Sequence, residues 1–182
     1  MEIRAIQPAD VEAVAHLHAR SWRTAYRGIL DDTYLDGPIV PERREFWRER
    51  LARPSAEHIG LLAVDDDTAV GFAFALADHD PIWGTLLDNL HVAPEHRGGA
   101  IGTKLLYALT EQLGRGATGG IHLWAFEGNV RTRRYYERLG AAAIKRQEAP
   151  APGGGIVAEW LYAWRTIERL RSAASGSLRT GS

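Results

Sequence analysis

The segment from Asn89 to Leu106 constrains the fold of this chain more than any other. Its residue pattern predicts a strand, a turn marked by Pro94, a glycine-rich loop and the start of a helix. Glycine adopts positive φ angles and lets the backbone approach a ligand closely. A helix start adds unpaired N–H groups and the positive end of a dipole. Together these features predict a binding site for a pyrophosphate.

Size and composition exclude several classes of protein. The 182 residues carry a net charge of −1, with 45% hydrophobic residues, which is typical of one ordinary globular domain without affinity for nucleic acid or anionic membranes. We expect no membrane span, because no run of 18 apolar residues occurs. Because there are no cysteines, the chain has no disulfides or thiolate metal sites, and we expect a cytoplasmic protein. The seven histidines lack ligand-like spacing, so no metal site is predicted.

Hydrophobic periodicity predicts the element order βαα-βββ-α-β-α-ββ, which is a mixed α/β (α+β) sheet protein. The predicted domain covers residues 1–168, and the small and polar residues of 169–182 predict a flexible tail. The last strand, Ile156–Trp164, could pair across a homodimer.

Three segments resemble one family. The run from Leu90 to Gly102 resembles the strand and R-G-x-G-x-G loop of the GNAT superfamily of acetyl-CoA-dependent N-acetyltransferases. Asn129 to Ala141 resembles that family's N-x-x-A-x-x-F-Y-E-x-x-G-F segment, and Ser21 to Ile29 is similar to the W-x-x-A-Y-x-G run of one branch. The likeness spans about residues 1–164, and Ala100 departs from it by replacing the middle glycine of the loop.

The resemblance implies a GNAT-like fold with acetyl-CoA as cosubstrate. It implies that the main chain of Leu90, His91 and Val92 holds the pantetheine arm. The implied residues around the pyrophosphate are Arg97, Gly98, Gly99, Ala100, Gly102 and Thr103. The resemblance also gives Asn129 a contact with the arm, although the residue could serve only as a helix N-cap.

Acetyl transfer to an amine needs a neutral nucleophile, an oxyanion donor and a proton for the departing thiolate. By resemblance, Tyr136 supplies that proton, whereas a helical tyrosine could equally be a core residue. Asp88 is the candidate general base because it has the strand parity of Leu90 and Val92. The other candidates for the base are His79, His91, His122 and Glu127. Trp22 and Tyr26 are candidates for the acceptor wall or for a core aromatic cluster.

The expected function is acetyl transfer from acetyl-CoA to a primary amine, of a small molecule or of a protein, by direct attack in a ternary complex. One alternative is a non-catalytic acyl-CoA-binding module on the same fold, because fold alone does not fix function. A nucleotide-binding protein is a third reading, although the loop lacks the G-x-x-x-x-G-K-[ST] pattern. The sequence does not identify the acceptor.

Overall fold

The computed structural model describes residues 1–53, 55–114 and 119–180, which form a seven-stranded sheet with helices on both faces. The strands are β1 (Glu2–Ala5), β2 (His58–Asp65), β3 (Thr68–Asp80), β4 (Gly84–Val92), β5 (Ile121–Phe126), β6 (Ala142–Pro150) and β7 (Ile156–Trp164). The helices are α1 (Val11–Ala25), α2 (Asp32–Asp36), α3 (Ile39–Ala52), α4 (Ile101–Leu113), α5 (Val130–Arg138) and α6 (Ile167–Thr180). Over these residues no helix is both long and apolar enough to cross a membrane.

The sheet is mixed, with the strand order β1-β2-β3-β4-β5-β7-β6. All neighbouring strands pair antiparallel except β4 and β5, which pair in parallel. A parallel pair needs a long crossover connection, and α4 supplies it. The glycine-rich loop therefore lies at the strand-to-helix junction of a β-α-β unit, and the predicted mixed α/β fold is confirmed.

Each face of the sheet has its own hydrophobic core. On one face, Leu105, Leu106 and Leu109 of α4 are fully buried together with residues of α5 and α6. On the other face, Trp47 of α3 packs edge-on against Phe72 of β3, with ring centroids 5.2 Å apart. Burying each leucine stabilises the fold by about 2 kcal/mol, so these two layers fix α1, α3 and α4 on the sheet.

The C-terminal region differs from the predicted flexible tail. Residues up to Thr180 form α6, and Leu170 and Ala174 are fully buried. A helix forms here because the small residues let α6 approach α4 closely while two apolar side chains enter the core. Residues 181–182 of the expected tail lie outside the described residues.

Two further differences concern element order and the sheet edge. The five-residue α2 was not predicted, because it is too short to show an apolar period. β7 lies between β5 and β6, so β6 forms the edge of the sheet at this end. The strand that was expected to pair across a dimer, Ile156–Trp164, therefore has both of its neighbours within the same chain.

Candidate active site

Strands β4 and β5 separate shortly after they meet. They pair only at Thr85–Ile121 and Leu86–His122, and a cavity of about 1560 Å³ opens between and beyond them. The cavity is lined by residues of β4 and β5 and by the glycine-rich loop. A gap in a parallel pair leaves backbone donors and acceptors without a strand partner, so it can receive an extended polar ligand.

The main chain of β4 presents alternate residues to this gap. Ala93 N–H donates to Val70 O at 2.9 Å, and in an antiparallel ladder every second residue bonds the same neighbour. The alternation directs the N–H and C=O of His91 toward β3, and those of Leu90 and Val92 toward the gap. The expected backbone contacts are therefore available at Leu90 and Val92, whereas the main chain of His91 is directed at β3.

A β-bulge lies where the two strands part. Phe74 pairs with Asn89 and the adjacent Ala75 pairs with Leu87, which leaves Asp88 as the extra residue. Arg50 of α3 binds Asp88 Oδ2, which also accepts a hydrogen bond from Asn89 Nδ2 at 2.8 Å. Asp88 Oδ1 has no partner among the residues that the structure describes. Asp88 lines the cavity, so this oxygen is the available one.

The glycine-rich loop holds a non-glycine residue in a left-handed conformation. Gly98 has φ +93° and Ala100 has φ +60°, so both adopt left-handed conformations. Such a conformation costs a non-glycine residue about 1–2 kcal/mol. Ala100 is also the N-cap of α4 and makes no side-chain cap bond. The N–H groups of Ile101, Gly102 and Thr103 thus lack an intrahelical or side-chain acceptor and can bind an anion, whereas the N–H of Lys104 donates to Ala100 O at 2.9 Å.

The side chain of Arg97 points to α1. Its Nη2 donates to Thr24 Oγ1 at 2.8 Å and to Ser21 Oγ at 3.3 Å. Ion pairing between Arg20 and Glu95, at 2.7 Å, adds a second link between α1 and the same loop. Burial lowers the pKa of Arg97, and its bonded oxygens are uncharged. Arg97 therefore docks the loop on α1 while its positive charge stays uncompensated beside the free N–H groups of the loop.

The charges around the cavity are mostly positive. Lys104, Arg131 and Arg138 line it, and within the described ranges none of them has an ion-pair partner. Asp88 is the one lining carboxylate in the described part of the chain, and Arg50 already neutralises it. Since the whole chain has a net charge of −1, this local excess does not follow from a generally basic composition. It favours a ligand with several negative charges.

Tyr136 is a buried residue of the cavity lining. It is 5% exposed, lines the cavity, and packs edge-on against Trp164 at 6.0 Å. No described residue hydrogen-bonds its hydroxyl. Burial raises the pKa of Tyr136 well above its ordinary value of 10.0, so the phenol stays protonated at neutral pH. The hydroxyl can therefore donate a proton or hydrogen bond to a ligand atom.

Several predicted contacts are used within the protein. The Thr103 hydroxyl lies 3.2 Å from the hydroxyl of Tyr135, which links α4 to α5. Asn129 Oδ1 accepts the N–H of Thr132 at 3.4 Å and so acts as an N-cap, although the residue also lines the cavity. Arg133 donates to Tyr162 Oη at 3.0 Å and is a structural residue.

The two aromatic residues expected at the acceptor side differ in position. Tyr26 lines the cavity and packs edge-on against Phe126 at 4.9 Å, and burial raises its pKa to about 12. Trp22 is buried beneath this layer, with the Arg43 guanidinium 4.7 Å from its ring centroid. Trp22 is absent from the described cavity lining and belongs to a buried cluster, which agrees with the alternative of a core aromatic residue. The difference has a local cause, since Trp22 lies within α1 whereas Tyr26 is its C-cap and has a non-helical backbone.

The other candidate bases do not fit the role. His91 lines the cavity, but its Nδ1 lies 3.0 Å from Ser21 Oγ, and burial lowers its pKa to about 3. Glu127 binds Arg146 at 2.9 Å, an ion pair that lowers its pKa to about 2. His79, His122 and Glu127 are absent from the cavity lining given by the described residues. Within residues 1–53, 55–114 and 119–180, no group of three or more His, Cys, Asp or Glu side chains is placed to hold a metal ion.

Sequence reasoning missed one wall of the cavity. Ala173, Gly176 and Ser177 of α6 line it beside Lys104 and Arg138. The apolar spacing of Ile167, Leu170 and Ala174 was the available signal for this helix.

The separated strands, the phosphate loop and the positive rim define an α/β protein with a cleft for a long anionic ligand. The family model described as Acetyltransferase (GNAT) family matches residues 12–141, and this chain belongs to that family of acetyltransferases. A probable N-acetyltransferase of Mycobacterium tuberculosis is 28% identical over 149 residues, which cover 76% of this chain and 78% of that protein.

Solved structures show the same fold. PaiA N-acetyltransferase from Thermoplasma acidophilum, solved in complex with coenzyme A, has a TM-score of 0.71 and 20% identity, and the match covers 90% of this chain and 98% of that one. YncA from Salmonella typhimurium, solved with its cofactor acetyl-CoA, has a TM-score of 0.65 and 17% identity, with coverage of 91% and 93%.

Proposed function

We propose that this protein transfers the acetyl group of acetyl-CoA to a primary amine, by direct attack within a ternary complex. The main support for the proposal is that one cavity contains three features. These are the N–H groups at the start of α4, the gap between β4 and β5, and the Tyr136 hydroxyl. Membership of the acetyltransferase family supports it, as do the coenzyme A and acetyl-CoA complexes of PaiA and YncA.

The cofactor is bound in two parts. The pyrophosphate lies on the N–H groups of Gly98 and of the first turn of α4, Ile101 to Thr103, with the uncompensated charge of Arg97 nearby. The pantetheine arm extends along β4 and bonds the main chain at Leu90 and Val92. This arrangement brings the thioester to the bulge at Asp88 and to Tyr136, because both line the same cavity as the arm.

The reaction needs two proton movements. The amine of the acceptor must lose a proton as its nitrogen attacks the thioester carbonyl, and Asp88 Oδ1 receives it directly or through water. The tetrahedral oxyanion is held by a main-chain N–H of β4 at the gap. As the C–S bond breaks, Tyr136 donates its proton to the sulfur, and the products are the N-acetylated amine and coenzyme A.

The acceptor enters on the side of Tyr26 and Phe126. This end of the cavity is aromatic. The one carboxylate among the described lining residues of the cavity, Asp88, is paired with Arg50. An amine on a small molecule or at a protein terminus fits the proposal.

The test couples binding to turnover. Isothermal calorimetry should detect coenzyme A binding at micromolar to submillimolar concentration, and a thiol-release assay with acetyl-CoA should show turnover with at least one member of a broad amine panel. Absence of coenzyme A binding at millimolar ligand would refute the proposal. Binding without acetylation of any amine would instead support a non-catalytic acyl-CoA-binding module.

A further inference from the structure

Trp124 occupies the position of β5 that lies opposite Asp88. Strands β4 and β5 last pair at Leu86–His122, and Asp88 and Trp124 each lie two residues further along their strands. Both residues line the cavity, and Trp124 is half-buried. The candidate base and an indole ring therefore stand on the two sides of the gap in which an acceptor amine has to meet the thioester.

The aromatic side chains of β5 share one face of the sheet with α1 and α3. Side chains two residues apart on a strand point to the same face, so Trp124 and Phe126 belong together. Phe126 packs against Tyr26, the last residue of the α1 turn, at 4.9 Å. Helices α1 and α3 pack on one face, and from this face Arg50 binds Asp88. The carboxylate therefore shares its side of the gap with three aromatic side chains.

The described lining offers no carboxylate to a second ammonium group. Asp88 is the one carboxylate among the described lining residues, and Arg50 binds one of its oxygens. The other oxygen is needed by the reacting amine. A second ammonium group taken into the cavity would lose its hydration without gaining an ionic partner, which is costly.

The ring of Trp124 is also unavailable to a second cation. An ammonium group can bind the face of an indole, and Lys145 of β6 already makes this contact, with Nζ 5.4 Å from the ring centroid. Trp124 and Lys145 both pair with Leu161 of the intervening β7. No described carboxylate forms an ion pair with Lys145. Its charge therefore repels a further ammonium group, whereas an uncharged ring can still pack on the indole from the cavity.

We propose that the acceptor is a monoamine whose amino group is joined by a short chain to an aromatic ring. The ring packs on Trp124 while the amine lies at Asp88, and Lys145 excludes polyamines. The inference rests on the proposed function, since it specifies the acceptor class of that reaction. Ring contacts with Trp124 and Phe126 add to the burial of apolar surface, which makes Trp124 the specificity-determining residue.

The first test compares phenylethylamine, propylamine and spermidine as acceptors at saturating acetyl-CoA. The kcat/KM of the wild-type protein should be about 100-fold higher for phenylethylamine than for spermidine. Trp124→Ala should reduce the preference for phenylethylamine over propylamine about tenfold, mainly through KM, and Trp124→Phe should restore most of it. Calorimetry with coenzyme A checks that each variant is folded.

The second test removes the charge beside Trp124. Lys145→Gln should raise kcat/KM for spermidine about threefold relative to phenylethylamine, because a like charge has gone and the indole is free to bind a cation. Arg134→Gln is the matched control, because Arg134 is exposed on α5 outside the described cavity lining, and it should keep the wild-type selectivity.

Two results would overturn this acceptor class while leaving the proposed function intact. One is a wild-type kcat/KM for spermidine equal to that for phenylethylamine, and the other is a preference for phenylethylamine that survives Trp124→Ala. Coenzyme A binding without acetylation of any amine would instead refute the proposed function itself, so the two failures are distinguishable.

Discussion

Replacing Tyr136 with phenylalanine isolates the proposed proton donor. The side chain is 5% exposed and packs edge-on against Trp164, and the substitution keeps this ring contact. No described residue hydrogen-bonds the hydroxyl, so its removal leaves no protein group unpaired. We therefore expect the free energy of unfolding to change by less than about 1 kcal/mol.

The effect on catalysis should be much larger than the effect on stability. General acid catalysis contributes about 10²–10⁴-fold. Because a thiol has a pKa of about 8.5, the leaving thiolate needs only moderate help, and we expect the lower end of that range. The turnover number kcat should fall about 100-fold, which corresponds to about 2.7 kcal/mol of transition-state stabilisation. The affinity for coenzyme A should change less than about threefold.

Steady-state thiol release, calorimetry with coenzyme A and thermal unfolding measure these three quantities separately. Tyr135→Phe is the control, since the hydroxyl of Tyr135 bonds Thr103 and is assigned no proton transfer. A Tyr136→Phe variant with kcat within twofold of wild type would remove Tyr136 from the mechanism. A loss of affinity equal to the loss of rate would indicate a binding role instead.

Three further predictions follow from the same structure. Asp88→Asn should lower kcat about 100-fold at pH 7 and less at pH 9.5, where more of the amine is already neutral. Arg50→Gln is the control, because it removes the ion pair but keeps the carboxylate. If Asp88 acts only as an anchor, Arg50→Gln will lower kcat as much as Asp88→Asn at every pH. Ala100→Gly should raise the free energy of unfolding by up to about 1 kcal/mol in denaturant, because glycine adopts the left-handed conformation of this position without strain. Ala108→Gly inside α4 is the control and should lower the free energy of unfolding by about 1 kcal/mol. An equal decrease for the two variants would contradict this explanation. Burial lowers the pKa of His91 to about 3 in the folded protein, whereas a histidine of the unfolded chain has a pKa of about 6.5. Below about pH 6.5 only the unfolded chain binds this proton, so the free energy of unfolding should fall by about 2 kcal/mol between pH 7 and pH 5. A flat pH profile of the wild-type protein would contradict the buried neutral imidazole.

The predicted positions of the phosphate loop and of Tyr136 depended on local patterns. A glycine-rich turn between a strand and a helix has one common geometry, and the structure places Gly98, Ala100 and α4 in it. The left-handed φ of Ala100 shows that the neighbouring strand and helix fix the backbone there more strongly than residue preference does. An alanine can therefore occupy a position whose conformation favours glycine.

The hydrogen-bond partners of polar side chains could not all be predicted from such local patterns. Arg97 and Asn129 both belong to recognisable motifs, yet the structure bonds Arg97 to α1 and uses Asn129 as a helix cap. These partners are 73 and 3 residues distant in sequence. A local cap can be predicted from spacing, whereas a contact across 73 residues depends on how α1 packs on the sheet.

The sequence by itself determined the mixed α/β fold, the glycine-rich loop and the place of Tyr136 on α5, because short-range periodicity and turn chemistry encode them. Tertiary structure alone decided the separation of β4 from β5, the bulge at Asp88, the burial of Trp22 and the return of α6 to the cavity. These features depend on the pairing register and the packing of segments far apart in the chain. Such contacts are fixed only when the whole core forms, so no local pattern records them.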